Sequence, residues 1–261
     1  MTRFKLAALA AALLAFAGPA SAKSLTVGAN IGNVPWEFQD EKSETVGFEV
    51  DLVREAAKRM GYDDVTFENI PFNGLFSAVQ SGRIDAAISS ITITKKRLES
   101  VSFAQAYYDS DQSLSVLKDS GITGLSGLKG KVVGVDTGST GDIYATQHEK
   151  DLGLSEIRRF EGLSPAMLDL AAGRIDGYIS DIPAVAYYIK DKPQYAVVER
   201  IPTGEQYSVM FAKDSPLVAE ATKAITEMKN DGFLAKIHEK WFGSKPDAST
   251  STAKVLEAPK L

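Results

Sequence analysis

An α/β fold of two lobes facing each other across a cleft is the architecture this sequence predicts, and three observations predict it. Strand-like runs alternate with helical periodicities along the chain, which gives α/β lobes with right-handed crossovers. A unit made of an apolar helix, Gly-Arg-Ile-Asp and a strand occurs twice. Gly82-Arg-Ile-Asp85 leads into Ala-Ala-Ile-Ser-Ser-Ile91, and Gly173-Arg-Ile-Asp176 leads into Gly-Tyr-Ile-Ser-Asp-Ile182. The offset of 91 residues is too long for a solenoid period and suits two similar lobes. Finally, a strand at Tyr207–Ala212 is placed to return to the first lobe, so that lobe is discontinuous and two crossing segments form a hinge.

Taken in order, the N-terminus reads as a removable signal. Arg3 and Lys5 are followed by an apolar run from Leu6 to Phe16, and Ala20-Ser21-Ala22 has the small-x-small form of a cleavage site. The run is too short to span a membrane. Cleavage after residue 22 would leave 239 residues and move the net charge from −5 to −7. Residues 23–110 then form the first part of lobe 1, 111–207 lobe 2, and 208–244 the second part of lobe 1. Residues 245–261 are rich in Pro, Ala, Ser and Thr without periodicity, and read as a disordered tail.

Within these bounds Ser24–Ala29 is the first strand, followed by a turn-rich loop from Asn30 to Pro35. Val50, Val53, Ala56, Ala57 and Met60 line one face of a helix that Gly61 stops. Val65–Phe67 is a strand, and Phe72 opens the helix that ends at Gly82. Ala86 to Ile93 reads as a buried strand. Ser113–Leu117 reads as a crossing strand, Leu125–Leu128 as a short helix, and Lys131–Val135 as a buried strand. A helix follows near Asp142 and another runs from Pro183 through Tyr188. Tyr195–Val198 is a strand, and Leu217–Met228 and Gly232–Trp241 are helices.

Composition excludes several functions. A net charge of −5 argues against nucleic acid, which requires a basic face. With no Cys and two His the chain has no metal cluster to propose, and no cofactor is called for. Export without cysteine fits a bacterial periplasm, where a chain with 44% hydrophobic residues needs no disulfide to build a core.

The chemistry concentrates at the strand ends. Ser89, Ser90 and Thr92 place three hydroxyls at the far end of the strand after Asp85, in a short loop leading to a helix whose N-cap is Thr94. Arg97 follows in its first turn. Hydroxyls, free backbone N–H groups and one Arg suit a small carboxylate. In open α/β sheets the strand C-termini face the ligand crevice. Ser89, Ser90 and Asp181 therefore look into one cleft from opposite sides. Asp136-Thr-Gly-Ser-Thr-Gly141 offers further N–H groups to an anion, although many strand–helix turns look the same. Arg97 could also be a surface Arg, Asp181 a helix cap before Pro183, Phe72 plain core, and Asp136 a cap for the helix after Gly141. Trp36, Tyr107 and Tyr108 suit core or hinge packing.

The residues resemble a family. Gly47-Phe-Glu-Val-Asp-Leu52, Asp85 to Arg97, Phe103-x-x-x-Tyr-Tyr108, the Gly138-Ser-Thr140 loop, Asp181 and Lys240-Trp-Phe-Gly243 together resemble the periplasmic solute-binding proteins of polar amino-acid ABC transporters, extracellular family 3. The likeness covers Leu25 to Gly243 and implies the two-lobed periplasmic binding protein fold, a mixed sheet with flanking helices in each lobe. It also implies a monomer that binds a polar amino acid and hands it to a membrane permease. By that resemblance Arg97 clamps the ligand α-carboxylate, with N–H and hydroxyl groups at Thr92 and Thr140. Asp181 takes the α-ammonium, helped at Ser90, and Phe72 packs along the ligand side chain. Asn30 and Asn33 stand where many relatives carry Asp and an aromatic, and Asp136 where they carry an apolar or basic residue. With Asn30, Asn33 and Asp136 at the side-chain end, the resemblance implies an uncharged-polar or cationic ligand. A dehydratase acting on a prephenate-type acid is the competing class. It would need a positioned acid or base, for which Asp136 and Asp181 are the cleft carboxylates in view.

Overall fold

The computed structural model describes residues 22–261; the expected signal segment lies outside the described residues except for Ala22. The first part of the chain forms β1 (Ser24–Ala29), the short strands β2 (Phe38–Gln39) and β3 (Thr45–Val46), and α1 (Phe48–Arg59). It continues through β4 (Asp64–Asn69), α2 (Phe72–Gln80), β5 (Ala86–Ile88), α3 (Lys95–Leu98) and β6 (Val101–Phe103). The middle forms β7 (Tyr108–Leu117), a 3₁₀ turn (Leu125–Leu128), β8 (Val132–Asp136), α4 (Thr140–Leu152), β9 (Glu156–Phe160), α5 (Leu163–Ala171), β10 (Gly177–Asp181), α6 (Ile182–Ile189) and β11 (Tyr195–Tyr207). The chain then returns through β12 (Met210–Ala212), α7 (Leu217–Asn230) and α8 (Phe233–Phe242).

Two mixed five-stranded sheets result, ordered β4-β1-β5-β12-β6 and β11-β7-β10-β8-β9. In the first, β1 pairs in parallel with β4 and β5, while the returning β12 runs antiparallel to β5 and β6. In the second, β8 pairs in parallel with β9 and β10, and β7 runs antiparallel to β10 and β11. The long strands β7 and β11 stay paired from Tyr195↔Leu117 to Tyr207↔Tyr108, with bulges between Val197 and Glu199 and between Ile201 and Glu205. Their Tyr108/Tyr207 ends carry the chain between the sheets, so these strands are the hinge.

The duplicated Gly-Arg-Ile-Asp does the same mechanical job in both lobes. Ile84 and Ile175 are each 2% exposed and lie over Gly28 and Gly134; a Cβ on either glycine would come within 2.5 Å of the isoleucine Cδ1. The glycines therefore admit the close approach of the plug. Asp85 Oδ2 accepts from the Thr26 N–H (2.8 Å) and Asp176 Oδ2 from the Val132 N–H (2.9 Å), tying each unit to the first parallel strand of its sheet. The repeat is scaffold; its product is a pair of strands, β5 and β10, whose C-termini open on the cleft.

Two distant motifs lock onto each other. Asp51 in α1 accepts from Lys240 Nζ (2.6 Å) and Trp241 Nε1 (2.8 Å) in α8. Around them Trp36, Phe48, Tyr108, Tyr207 and Phe242 pack with ring centroids 4.7–5.9 Å apart, within the range of favourable edge and offset contacts. Trp36 and Tyr107 are fully buried, in keeping with packing roles.

Several elements differ from the sequence reading. The strand after Asp85 ends at Ile88, not Ile93, because Ser90 turns the chain with φ 45°. Ile91 is fully buried all the same, so its apolar character reports packing rather than strand. Tyr207–Ala212 is split: Tyr207 ends β11, and the Ser208 hydroxyl donates to the Ala104 carbonyl (2.7 Å) before β12 begins. Strand β9, Glu-Ile-Arg-Arg-Phe, was not legible because it is an edge strand with charged residues, as edges commonly are. Residues 245–261 lack regular structure but are seated. Ser251 and Thr252 are 3% and 2% exposed, Ser251 bonds Asp109 and Gln206 on the paired hinge strands, and the Leu256 N–H donates to Gln105 Oε1 (2.9 Å). Polar composition predicts disorder, yet here its hydroxyls and backbone satisfy polar groups of the hinge.

Candidate functional site

All ten residues singled out from the sequence, Asn30, Asn33, Phe72, Ser89, Ser90, Thr92, Arg97, Asp136, Thr140 and Asp181, line one cavity between the lobes. The same cavity is lined by Gln112, Ser139, Glu161 and Gly162–Pro165 at the start of α5, which the sequence reading did not include.

One end is basic. Thr94 caps α3 by accepting from the Arg97 N–H (3.1 Å), which fixes the Arg97 backbone in the helix. The guanidinium is buried, donates to the Thr92 carbonyl (2.7 Å) and, across the cleft, to the Gly138 carbonyl (3.2 Å). Phe72 and Phe76 rings lie 5.3 and 5.2 Å from it, within cation–π range. Burial pulls the guanidinium down to about 10, opposed by the fields of Glu205 and Asp181, so it stays charged at neutral pH. Among the described residues no carboxylate reaches ion-pair distance of it. A buried cation bonded only to carbonyls is incomplete, and a carboxylate matches its two-pronged geometry.

The N–H groups beside it come from the Gly138–Thr140 loop. Ser139 caps α4, accepting from the Asp142 N–H (3.1 Å), while Asp142 accepts from the Gly138 N–H (3.0 Å) and pairs with Arg159 (2.9 Å). Asp136 is therefore not the cap of this helix. The α4 N-terminus is thereby aimed at the cleft, favouring negative charge there. The Thr92 and Thr140 hydroxyls face away from that position: both donate to Glu205 Oε2, at 2.6 and 2.9 Å. Glu205 Oε1 accepts from Gln112 Nε2 (2.9 Å), which also bonds Asp181. Glu205 on β11 thus ties a lobe 1 hydroxyl to a lobe 2 hydroxyl.

The opposite wall carries Asp181, at the C-terminus of β10. It occupies the cap position of α6 but its side chain caps nothing. Burial, and then the field of Glu205, hold its carboxyl well above the usual range, a charge that an incoming ammonium would restore. Facing it, the Ser90 hydroxyl accepts from Asn33 Nδ2 (3.2 Å).

The third region is acidic. Asp136, at the end of β8, has Oδ1 sealed from solvent without a hydrogen-bond partner, while the rest of the residue is open to the cleft. That desolvation raises its carboxyl to about 7, with Tyr178 opposing the rise and Glu161 adding to it. Glu161 follows β9, the parallel neighbour of β8, so both carboxylates emerge at the same sheet edge. Glu161 could be found only once β9 was placed. Gln112 and Glu205 lie on the hinge strands, and the only signal for them was the expected crossing of those strands.

A cleft with a buried cation at one end and carboxylates on the other walls can hold a zwitterion. The family described as bacterial extracellular solute-binding proteins, family 3, matches residues 25–244. The arginine-binding extracellular protein ArtP of Bacillus subtilis is 33% identical over 84% of this chain and 86% of its own length. The histidine-binding periplasmic protein of Salmonella typhimurium is 32% identical over 91% and 96%. An ancestral arginine-binding protein bound to arginine superposes with TM-score 0.79 at 37% identity, covering 84% of this chain and 98% of that one. The arginine-, lysine-, histidine-binding protein ArtJ of Geobacillus stearothermophilus gives 0.80 at 33%, covering 87% and 98%. The chain, a two-lobed amino-acid-binding component of an ABC importer, belongs to the bacterial extracellular solute-binding proteins of family 3.

Proposed function

We propose that the ligand is an L-amino acid with a cationic side chain, captured outside the cytoplasmic membrane and delivered to the permease of the importer. One observation carries the side-chain reading: beyond the zwitterion partners Arg97 and Asp181, the cavity lining adds Asp136 and Glu161 and no second basic residue. The open part of the Asp136 carboxyl is where a guanidinium or ammonium would meet it from the cleft, while its sealed Oδ1 lies beside the buried Tyr178 hydroxyl. An acidic ligand would place its carboxylate against two others. The names of the arginine- and histidine-binding relatives support the same class.

In this reading Arg97 and the N–H groups at Thr92 and Thr140 hold the α-carboxylate, and Asp181 with Ser90 holds the ammonium. Phe72 covers the aliphatic stem. The protein binds and releases its ligand unchanged. Calorimetry of the twenty standard amino acids plus ornithine and citrulline tests it. Arginine, lysine or ornithine should bind tightest. Citrulline, arginine's neutral isostere, should bind at least about tenfold more weakly, as expected for one lost charged hydrogen bond. Citrulline matching arginine, or glutamate binding tightest, would refute the cationic reading. Mass spectrometry of released ligand should return the added amino acid; a converted product would make the protein an enzyme.

A further inference from the structure

Behind the Ser89–Ser90 loop, away from the cleft, two acids are buried together. Glu37, in the loop after β1, and Glu49, in the first turn of α1, are both 0% exposed. Neither has a basic partner among the described residues. Instead they hold the loop. The Ser89 hydroxyl donates to Glu37 Oε1 (2.7 Å), and the Ser90 N–H donates to Glu49 Oε1 (2.9 Å) and Oε2 (3.1 Å). The Tyr107 hydroxyl donates to Glu49 Oε1. Ser90 needs holding: its φ of 45° is left-handed, which a residue other than glycine adopts at a cost.

One acceptor of the pair is left without a donor. Glu37 Oε2 is sealed and has no hydrogen-bond partner, and the polar groups beside the Glu37 carboxyl are the Glu49 carboxyl, the Ser89 hydroxyl and the Asn33 amide. Two buried carboxylates side by side without a cation repel strongly, and one proton between them removes the repulsion and makes the missing hydrogen bond. We infer that Glu37 and Glu49 share one proton, and that this pair is the positioning unit that fixes Ser89 and Ser90 at the ammonium end of the cleft. Burial and mutual repulsion raise Glu37 well above the ordinary carboxyl range and burial raises Glu49, both in the direction that favours a retained proton. Tyr107 is the other titratable group facing the pair, and burial raises it as well, so it remains a donor. From the remaining elements the pair meets Ser89, Ser90 and Asn33.

Loss of the proton at alkaline pH would set two carboxylates against each other and release the loop. Affinity should therefore fall as pH rises through the pair's titration. Glu37→Gln keeps the geometry, with its amide donating to Glu49 and its carbonyl accepting from Ser89, but has no proton to lose. Glu37→Ala removes both contacts.

The inference rests on the amino-acid reading of the cleft for its ammonium, so two of three measurements use ligand-free protein. In infrared difference spectra at neutral pH, the wild type should show a protonated-carboxyl C=O band that Glu37→Gln lacks. Amide hydrogen exchange at Ser90 should be protected in the wild type, faster in Glu37→Ala, and restored in Glu37→Gln. With L-arginine as probe, Glu37→Ala should bind about tenfold more weakly, the size of one buried donor left unpaired, and Glu37→Gln should recover most of that loss. The ratio of wild-type to Glu37→Gln affinity should fall at alkaline pH; the ligand's own ammonium titrates equally in both and cancels. No band, or Ser90 exchange unaffected by Glu37→Ala, overturns the inference. So does a pH-independent affinity ratio. A wild type that binds no arginine refutes the cationic reading instead, and the infrared and exchange results still decide the pair.

Discussion

Acidifying from pH 8 to pH 5 should weaken arginine binding far more than citrulline binding, and the factor follows from Asp136. Its carboxyl stands near 7 in the ligand-free cleft because desolvation penalises the charge. A bound guanidinium would restore the charge and bring the group back toward the ordinary value of about 3.9. Between those two values each unit of acidification costs about tenfold, because a proton must leave before the cation can pair. From pH 8 to pH 5 the loss assigned to Asp136 is therefore about two orders of magnitude. Asp181 is raised too and responds to the ammonium of either ligand, so the ratio of arginine to citrulline affinity isolates Asp136. Calorimetry at half-unit steps reads the ratio, and in Asp136→Asn it should be small and flat. The sign for stability is opposite. A carboxyl raised in the folded state stabilises below its unfolded value and loses that contribution as pH rises through about 7, so ligand-free thermal stability should decline over that window and Asp136→Asn should blunt the decline. An arginine-to-citrulline ratio that stays constant with pH in the wild type, or that changes equally in Asp136→Asn, would show that Asp136 does not face the ligand cation.

Three further outcomes follow. Arg97→Ala should remove the buried cation that meets the α-carboxylate, costing about 2–5 kcal/mol of binding with far-ultraviolet circular dichroism unchanged; near-native affinity by calorimetry would refute the clamp. Arg97 donates to Gly138 across the cleft and Glu205 joins Thr92 to Thr140, so the two lobes are closed on each other. Ligand should shift an open population toward it, and small-angle scattering should give a smaller radius of gyration with saturating arginine than without; an unchanged radius would argue against lobe closure. Truncation after Lys245 removes the bonds from Ser251 to Asp109 and Gln206, and should lower the melting temperature by several degrees, as expected for about 1–3 kcal/mol of buried hydrogen bonding. An unchanged melting temperature would mean that the tail adds nothing to the hinge.

What could be read along the chain was local. Alternating strands and helices, the repeated Gly-Arg-Ile-Asp and the Thr94 cap before Arg97 each concern a few neighbouring residues, whose periodicity and capping chemistry report the element directly. They placed Ser89, Ser90, Thr92, Arg97 and Asp181 at the cleft, because strand C-termini in an α/β sheet share a face wherever the helices go; Asn30, Asn33, Phe72, Asp136 and Thr140 came from the family resemblance, and all ten line one cavity. Apolar residues read less well where burial came from packing rather than strand, as at Ile91. Polar residues misled where they formed an edge strand, as in β9, or were seated by the hinge, as at Ser251 and Thr252. What only the tertiary structure decided is long-range pairing. Thr92 meets Glu205 across 113 residues of chain, Gln112 meets Asp181 across 69, and Ser89 meets Glu37 across 52. A carboxylate on a hinge strand, one behind a serine loop and one at the end of an edge strand look alike in sequence. Their charge states and partners depend on desolvation and on neighbours brought from elsewhere in the chain, and neither is a property of the local residues.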